Sequence, residues 1–391
     1  MYLFLISFLS LYGGIHLYAF YRLRAVFSPG WPVTLLLSVW MVVFTLAPLL
    51  VRLSEEAKMD RYALMIAWPG YVWMGFVFIL VSALFVVDLI KGVYRLAHHL
   101  FSSSTPAFLT SPFTCECAVL LAFAASGFAC YEALQIRSEQ VVIHSSKLPS
   151  DIQKIRIVQV SDVHIGLLFR EERLERVLKV IREAKPDIIV STGDLVDGKL
   201  NREDVKSHQK RLAEMLASVP APSGKYAVTG NHESYAGLQQ ALAFTSDAGF
   251  TVLRNQSARL SNGVTITGVD DQALPGGSRK AQKLSSINAE KRLLETVSKE
   301  AFHLLLKHRP DIPATSDGLF DLQLSGHVHK GQIFPFNFLV KLEYSIPCGT
   351  TTTSAGSRIH VSRGTGTWGP PMRLFAPPEV TVIDIVPTKQ E

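Results

Sequence analysis

Three stretches in the N-terminal third carry no charged side chain: residues 1–21, ended by Arg22 and Arg24; residues 25–51, ended by Arg52; and residues 62–87, between Arg61 and Asp88. Each is long enough to cross a hydrocarbon layer of about 30 Å as a helix, and the last two exceed the roughly 10–14 residues of a buried core helix. A fourth apolar run extends from about Phe113 to Ile136, with Glu116 and Glu132 near its ends. Trp31, Trp40, Trp68 and Trp73 all fall in this third, and those near the span ends fit anchoring at a membrane–water boundary. The first stretch lacks a basic start and a small-x-small cleavage site, and further spans follow it, so it does not read as a cleaved signal peptide. A bundle of about four transmembrane helices is expected over residues 1–140.

The 48% hydrophobic content of the 391 residues is too high for an ordinary soluble protein. Ser102-Ser103-Ser104-Thr105-Pro106 marks a polar loop before the fourth span, and Glu139 to Asp151 reads as a mixed polar stretch leading out of the apolar region. Residues 141–391 remain for one large domain with its own core. Basic residues flank the spans almost evenly. Arg22 and Arg24 follow the first, Arg52, Lys58 and Arg61 the second, Lys91 and Arg95 the third, and Arg137 and Lys147 the fourth. The small excess favours a multi-pass protein of the cell membrane with a cytoplasmic C-terminal domain. Cys115, Cys117, Cys130 and Cys348 form no disulfide framework; Cys115 and Cys117 read as an acylation or metal site, or as ordinary thiols. The net charge of +6 is spread thinly. With no basic run interleaved with aromatics, the expected partner is membrane lipid and not nucleic acid.

Residues 141–391 alternate strand and helix patterns. Ile155 to Val160 is a buried strand that delivers Asp162 and His164; Ile188 to Thr192 delivers Asp194 and Asp197 in Gly-Asp-Leu-Val-Asp-Gly; Lys225 to Thr229 delivers Asn231, His232 and Glu233. An apolar run near 301–306 precedes His308, and Phe320 to Leu324 precedes His327 and His329 in Gly-His-Val-His. Between them, residues 171–184 place Leu174, Val177, Leu178 and Ile181 at helical spacing before Pro186, and a second helix spans about 203–217. Five polar segments thus follow five strands, where α/β sheets place their ligands.

Hard oxygen donors mixed with imidazoles are what a two-metal hydrolytic site needs. Asp162, His164, Asp194, Asn231, His308, His327 and His329 are the seven ligand candidates; at the ends of buried strands they would otherwise be costly unpaired groups. Asp197 and Glu233 read as groups behind the ligands that orient them. His208, His303 and His360 read as ordinary histidines. Arg363 is open between a phosphate contact and a structural salt bridge, and Asp270 and Asp271 between a turn and a site.

The order Asp-x-His, Gly-Asp-x-x-Asp-Gly, Gly-Asn-His-Glu, His, Gly-His-x-His resembles the calcineurin-like metallophosphoesterase superfamily over residues 155–330. Val361-Ser362-Arg363-Gly364 and the run from Arg373 to Val380 further resemble its membrane-associated branch, which includes UDP-2,3-diacylglucosamine pyrophosphatase-like proteins. The resemblance implies a four-layer α/β/β/α sandwich and two divalent metal ions, Mn, Fe or Zn. By the same resemblance Asp162, His164 and His329 hold the first ion, Asn231, His308 and His327 the second, and Asp194 bridges both. His232 then matches the family's catalytic histidine. Lys330 departs from the pattern, standing where close relatives often carry Gly.

The expected activity is hydrolysis of a phosphate ester or pyrophosphate, with a lipid-linked substrate favoured because anchoring a site beside the bilayer serves a substrate or product that lives there. Two alternatives stand beside it. One is an anchored phosphodiesterase or phosphatase for soluble substrates; the other is a membrane sensor or transport module with a hydrolytic output.

Overall fold

The structure is a computed structural model that describes residues 2–101, 111–198, 203–272 and 279–388; the polar run from Ser102 lies outside them. The chain divides into two compact units. The first comprises residues 1–132 together with Ile333–Pro335 and Gly369–Phe375, and the second takes the remainder.

Among the described residues of the first unit, helices α1 (Tyr2–Phe27), α2 (Trp31–Glu56), α3 (Asp60–Phe101) and α4 (Phe113–Glu132) follow the apolar stretches. Among the described residues, α2, α3 and α4 are long and apolar enough to cross a membrane. At about 1.5 Å per residue, the 42 residues of α3 reach about twice the hydrocarbon thickness, so this helix continues past its charge-free part. Where that part ends, Asp88 accepts the Tyr18 hydroxyl at 2.6 Å and pairs with Arg22 at 2.9 Å. Leu80 and Leu84 of α3 and Ala118 and Ala122 of α4 form one buried cluster with Ile333, Met372 and Leu374 from the two later segments.

Among the described residues of the second unit are two six-stranded sheets. The first runs β1 (Arg137–Ser145), β12 (Glu379–Pro387), β2 (Ile155–Val160), β3 (Ile188–Ser191), β4 (Lys225–Ala227) and β5 (Thr251–Val252) in spatial order. The second runs β10 (Gly349–Thr352), β11 (Arg358–Val361), β9 (Leu322–Ser325), β8 (Phe302–Leu306), β7 (Val264–Gly268) and β6 (Gln256–Arg259). Strands β2 to β5 are mutually parallel, as are β7, β8, β9 and β11.

Side-chain alternation builds the layers. Ile155 and Ile157 of β2 face the second sheet's Phe302, Leu304, Leu322 and Leu324, while Val158 and Val160 face the helices. Those helices are α5 (Glu171–Ala184), α6 (Glu203–Ala217) and α8 (Leu238–Asp247), which give the outer layer Leu174, Leu178, Leu212 and Phe244. On the far side Leu294 of α9 (Arg279–Glu295) packs with Leu305 of β8. The result is the expected α/β/β/α sandwich. Gln159 lies between the sheets and donates to Thr192 Oγ1 at 2.9 Å and to the Ser325 carbonyl at 3.0 Å. The helix pattern at 171–184 ends as expected: Lys185 caps α5 in a left-handed conformation (φ 50°) just before Pro186.

One local expectation differs. Part of the stretch expected as a polar lead-in is β1, paired in parallel with β12 over its whole length. As an edge strand it leaves Ser138 and Gln140 wet on one face, so its sequence lacks the apolar run that marks β2 and β3.

Candidate metal centre

The turns after β2, β3, β4, β8 and β9 converge at the C-terminal ends of the parallel strands. Asp162 (φ 51°), His164 (φ 53°), Asp194 (φ 51°), His327 (φ 74°) and His329 (φ 47°) all adopt left-handed backbone. Non-glycine residues take this conformation at a cost, and they cluster where a fold must aim side chains at a site. Glycine is required beside them. A Cβ at Gly230 would strike Asp194 Oδ1, and one at Gly326 would strike Asp162 Oδ2 and Ser161 Oγ.

Ligand-type atoms gather in three groups among the described residues, and beside the one formed by His164, Asp197 and His232 stand two that hold the expected ligands. In one, His164 Nε2 and His329 Nε2 lie 3.1 Å apart, with Asp162 Oδ1 at 3.5 Å from His329 Nε2. In the other, His308 Nε2 faces His327 Nδ1 at 3.1 Å, Asn231 Oδ1 at 3.2 Å and Asp194 Oδ2 at 3.2 Å. The same Asp194 Oδ2 lies 4.0 Å from His164 Nε2, so one oxygen stands between the groups. His308 Nδ1 donates to the Thr192 carbonyl at 2.9 Å, which leaves a lone pair on Nε2 when the ring is neutral. Acceptor atoms therefore meet acceptor atoms, and a cation satisfies such a set. The mixture of carboxylate, amide oxygen and imidazole suits Mn, Fe or Zn.

The surrounding groups hold this arrangement. Glu233, at the start of α7 (Asn231–Ala236), accepts backbone N–H groups from Gly230 (2.7 Å), Asp194 (3.0 Å), Leu195 (2.7 Å) and Val196 (3.3 Å). Asp162 accepts the His327 N–H at 2.9 Å. Asp197 Oδ1 lies 2.9 Å from His232 Nδ1, and its Oδ2 lies 3.7 Å from His164 Nδ1. Burial opposes charge on every one of these groups. Asp194 and Asp197 nevertheless lie well below the usual carboxylate range, held there by the surrounding histidines. Burial opposes protonation of His308 and His232 too, yet nearby carboxylates raise them to about 10 and about 9. The charged carboxylates and imidazoles thus hold one another's charge, while burial pushes the Asp162 and Glu233 carboxyls upward.

All ten residues singled out from sequence lie in this cluster; four neighbours were not foreseen. Arg309 is held in a fork by Asp271, Nε to Oδ2 at 2.8 Å and Nη2 to Oδ1 at 3.2 Å, with Nη1 at 3.2 Å from His327 Nε2. Its position directly after His308 was the available signal. The rings of Tyr235 and Trp368 lie edge-to-face with His232, centroids 5.4 and 5.6 Å apart, and that of Tyr344 likewise with His327 at 5.7 Å. Trp368 and Tyr344 come from loops remote in sequence, so no local pattern announces them. Asp271 supports Arg309, whereas Asp270 pairs with Arg254 at 2.9 Å. Arg363 forms salt bridges with Glu139 and Glu379 at 2.9 and 2.7 Å. His208, His303 and His360 bond to Glu171, Thr267 and Thr350, away from the centre. Lys330 has φ 52°, the conformation for which glycine is the easy residue.

Residues 155–331 match the family described as calcineurin-like phosphoesterase. An uncharacterized metallophosphoesterase of Aquifex aeolicus is 40% identical over 255 residues, covering 65% of this chain and 93% of that protein. A second, from Helicobacter pylori strain J99, is 31% identical over 329 residues, covering 80% of this chain and 83% of its own. A Danio rerio protein named transmembrane protein with metallophosphoesterase domain is 30% identical over 257 residues, covering 62% of this chain and 56% of that one. With two facing acceptor groups at the strand ends, long apolar helices before them and relatives of this kind, the chain is a metal-dependent phosphoester hydrolase of the calcineurin-like phosphoesterase family.

Proposed function

We propose that this hydrolase acts on an amphiphilic phosphate ester or pyrophosphate whose apolar part resides in the membrane. The observation that carries the reading is that one chain joins the hydrolytic centre to long, charge-poor helices. A soluble substrate gives no reason for that union. Anchoring confines the site to a thin layer where a membrane-borne substrate is concentrated.

In this reading Asp162, His164 and His329 would hold one ion and Asn231, His308 and His327 the other, with Asp194 placed between the two sets. Two such ions, when bound, would supply a nucleophile at neutral pH and offset charge on the phosphoryl oxygens. The protein's own groups do the rest. Asp197 Oδ1 accepts the Nδ1–H of His232, which fixes the ring and leaves Nε2 to meet the leaving oxygen. Arg309, steadied by Asp271, presents a fixed positive charge at the edge of the centre for a phosphoryl oxygen. The sensor or transport reading gains no support from His16, whose ring nitrogens are taken up by the Tyr12 carbonyl and by Trp73 Nε1, both at 2.9 Å.

The test is hydrolysis by the full chain in vesicles, with Mn, Fe, Zn or Mg added back, against lipid pyrophosphates, nucleotides and phosphopeptides. Turnover of the lipid pyrophosphates well above the others is the expected result. Activity confined to the soluble substrates would leave the anchored phosphodiesterase or phosphatase instead.

A further inference from the structure

The short helix α10 (Asn337–Glu343) has no buried residue. Its inner side is Val340, which with Tyr344 and Ile346 packs against Val328, Ile359 and Val361. Its other apolar residues, Phe338, Leu339 and Leu342, are 57, 55 and 84% exposed. Single exposed hydrophobes are ordinary on protein surfaces, but three within five positions, preceded by the exposed Phe336, form a patch that implies a covering.

Covalent connection says what the covering is. Ile333–Pro335 belongs to the helical unit, where Ile333 joins the buried cluster of α3 and α4. Only Phe336 separates Pro335 from the first residue of α10, and two residues reach at most about 7 Å. In the helical unit, Phe334 and Phe375 lie 5.8 Å apart, with Phe128 of α4 6.4 Å from Phe375. All three rings are exposed, as is Tyr131 one residue before the end of α4. Aromatic rings gathered at the end of an apolar span are the mark of a membrane–water boundary.

We propose that residues 336–342 are an interfacial anchor, lying in the bilayer's headgroup layer with Phe338, Leu339 and Leu342 among the acyl chains. The occupant of the patch is the lipid surface. Lys341, exposed between Leu339 and Leu342, suits anionic headgroups. The anchor ends at Tyr344, whose ring edges on His327, so one short run of chain links the acyl layer to the metal centre. This inference rests on reading the N-terminal helices as membrane spans, and it deepens the proposed substrate class by giving a lipid-borne phosphoester its approach.

The test uses the full chain with Leu342→Trp in phosphatidylcholine–phosphatidylglycerol vesicles, with brominated lipid as quencher. The added emission, taken against the parent protein, is expected to be blue-shifted and quenched. Unquenched emission typical of water overturns the anchor, and blue-shifted but unquenched emission overturns it in favour of a protein covering. In parallel, Leu339→Ser/Leu342→Ser is expected to lower hydrolysis of vesicle-borne phosphoester by about tenfold, on the scale of one buried leucine, with a small water-soluble diester cleaved as before. Quenching at position 342 with both substrates unaffected by the double change keeps the anchor and counts against the lipid-borne substrate.

Discussion

The carboxylate of Glu233 accepts the backbone N–H of Asp194 at 3.0 Å, across 39 positions of sequence. With its bonds to Gly230, Leu195 and Val196 it ties the turn after β3 to the turn after β4. Glu233→Ala strands these donors in a buried place, each lost charge-assisted bond costing about 1.5–3 kcal/mol. A lower thermal midpoint and reduced metal content are therefore expected together, with a smaller loss in Glu233→Gln, which keeps one acceptor oxygen. A Glu233→Ala protein that unfolds at the parent temperature with full metal content would show that the turns are held by other means.

Asp194→Asn addresses the shared oxygen. The change removes the charge between the two acceptor groups while keeping the side chain's shape, so most activity and much of the bound metal should go, with the circular dichroism spectrum preserved. Elemental analysis of the parent protein at one ion per chain or fewer, under metal-replete conditions, would count against a two-ion centre.

Ligand and proton donor are separable. His232→Ala is expected to retain both ions and lose about 10²–10⁴-fold in rate, the usual effect of removing a positioned acid or base. His327→Ala should weaken the ion held with His308. Equal metal loss in the two variants would place His232 among the ligands.

A pH effect should arise far from the centre. Arg156 grips both oxygens of Asp384 at 2.7 Å, and this fork holds the Asp384 carboxyl below its ordinary value. The pair's stability is thus fully present above the unfolded carboxyl value, about 3.9, and is lost as pH falls through the lower folded value. Asp384→Asn is expected to cost about 1–3 kcal/mol at pH 7, and the gap to the parent should close in strong acid. A gap in unfolding midpoint that stays constant down to pH 2 would contradict this account.

The strands β2, β3, β8 and β9 were legible because, buried on both faces, they are written as apolar runs that end abruptly in Asp, His or Gly. The ten site residues were legible for the same reason: each follows such a run. Strand β1 was hidden, since an edge strand alternates with water and mixes Ser, Glu and Gln into its sequence. Trp368 and Tyr344 were hidden differently. Each meets a histidine that lies far from it in sequence, and only the three-dimensional path of a loop decides that meeting. The inclusion of residues 333–335 and 369–375 in the helical unit had no signal in hydropathy either, because both segments are too short to register beside spans of more than twenty residues.

That inclusion bears on how the protein is made. Gly75 of α3 leaves the space that Met372 fills, with Pro370 and Ile333 beside it. The ribosome delivers α3 before β1 to β11 and Met372 after them, so the helical core waits for these pieces while most of the hydrolytic sandwich is being translated. Chains that stop short of residue 369 would leave a notch at Gly75, so the part begun first is finished only after most of the second unit has been made.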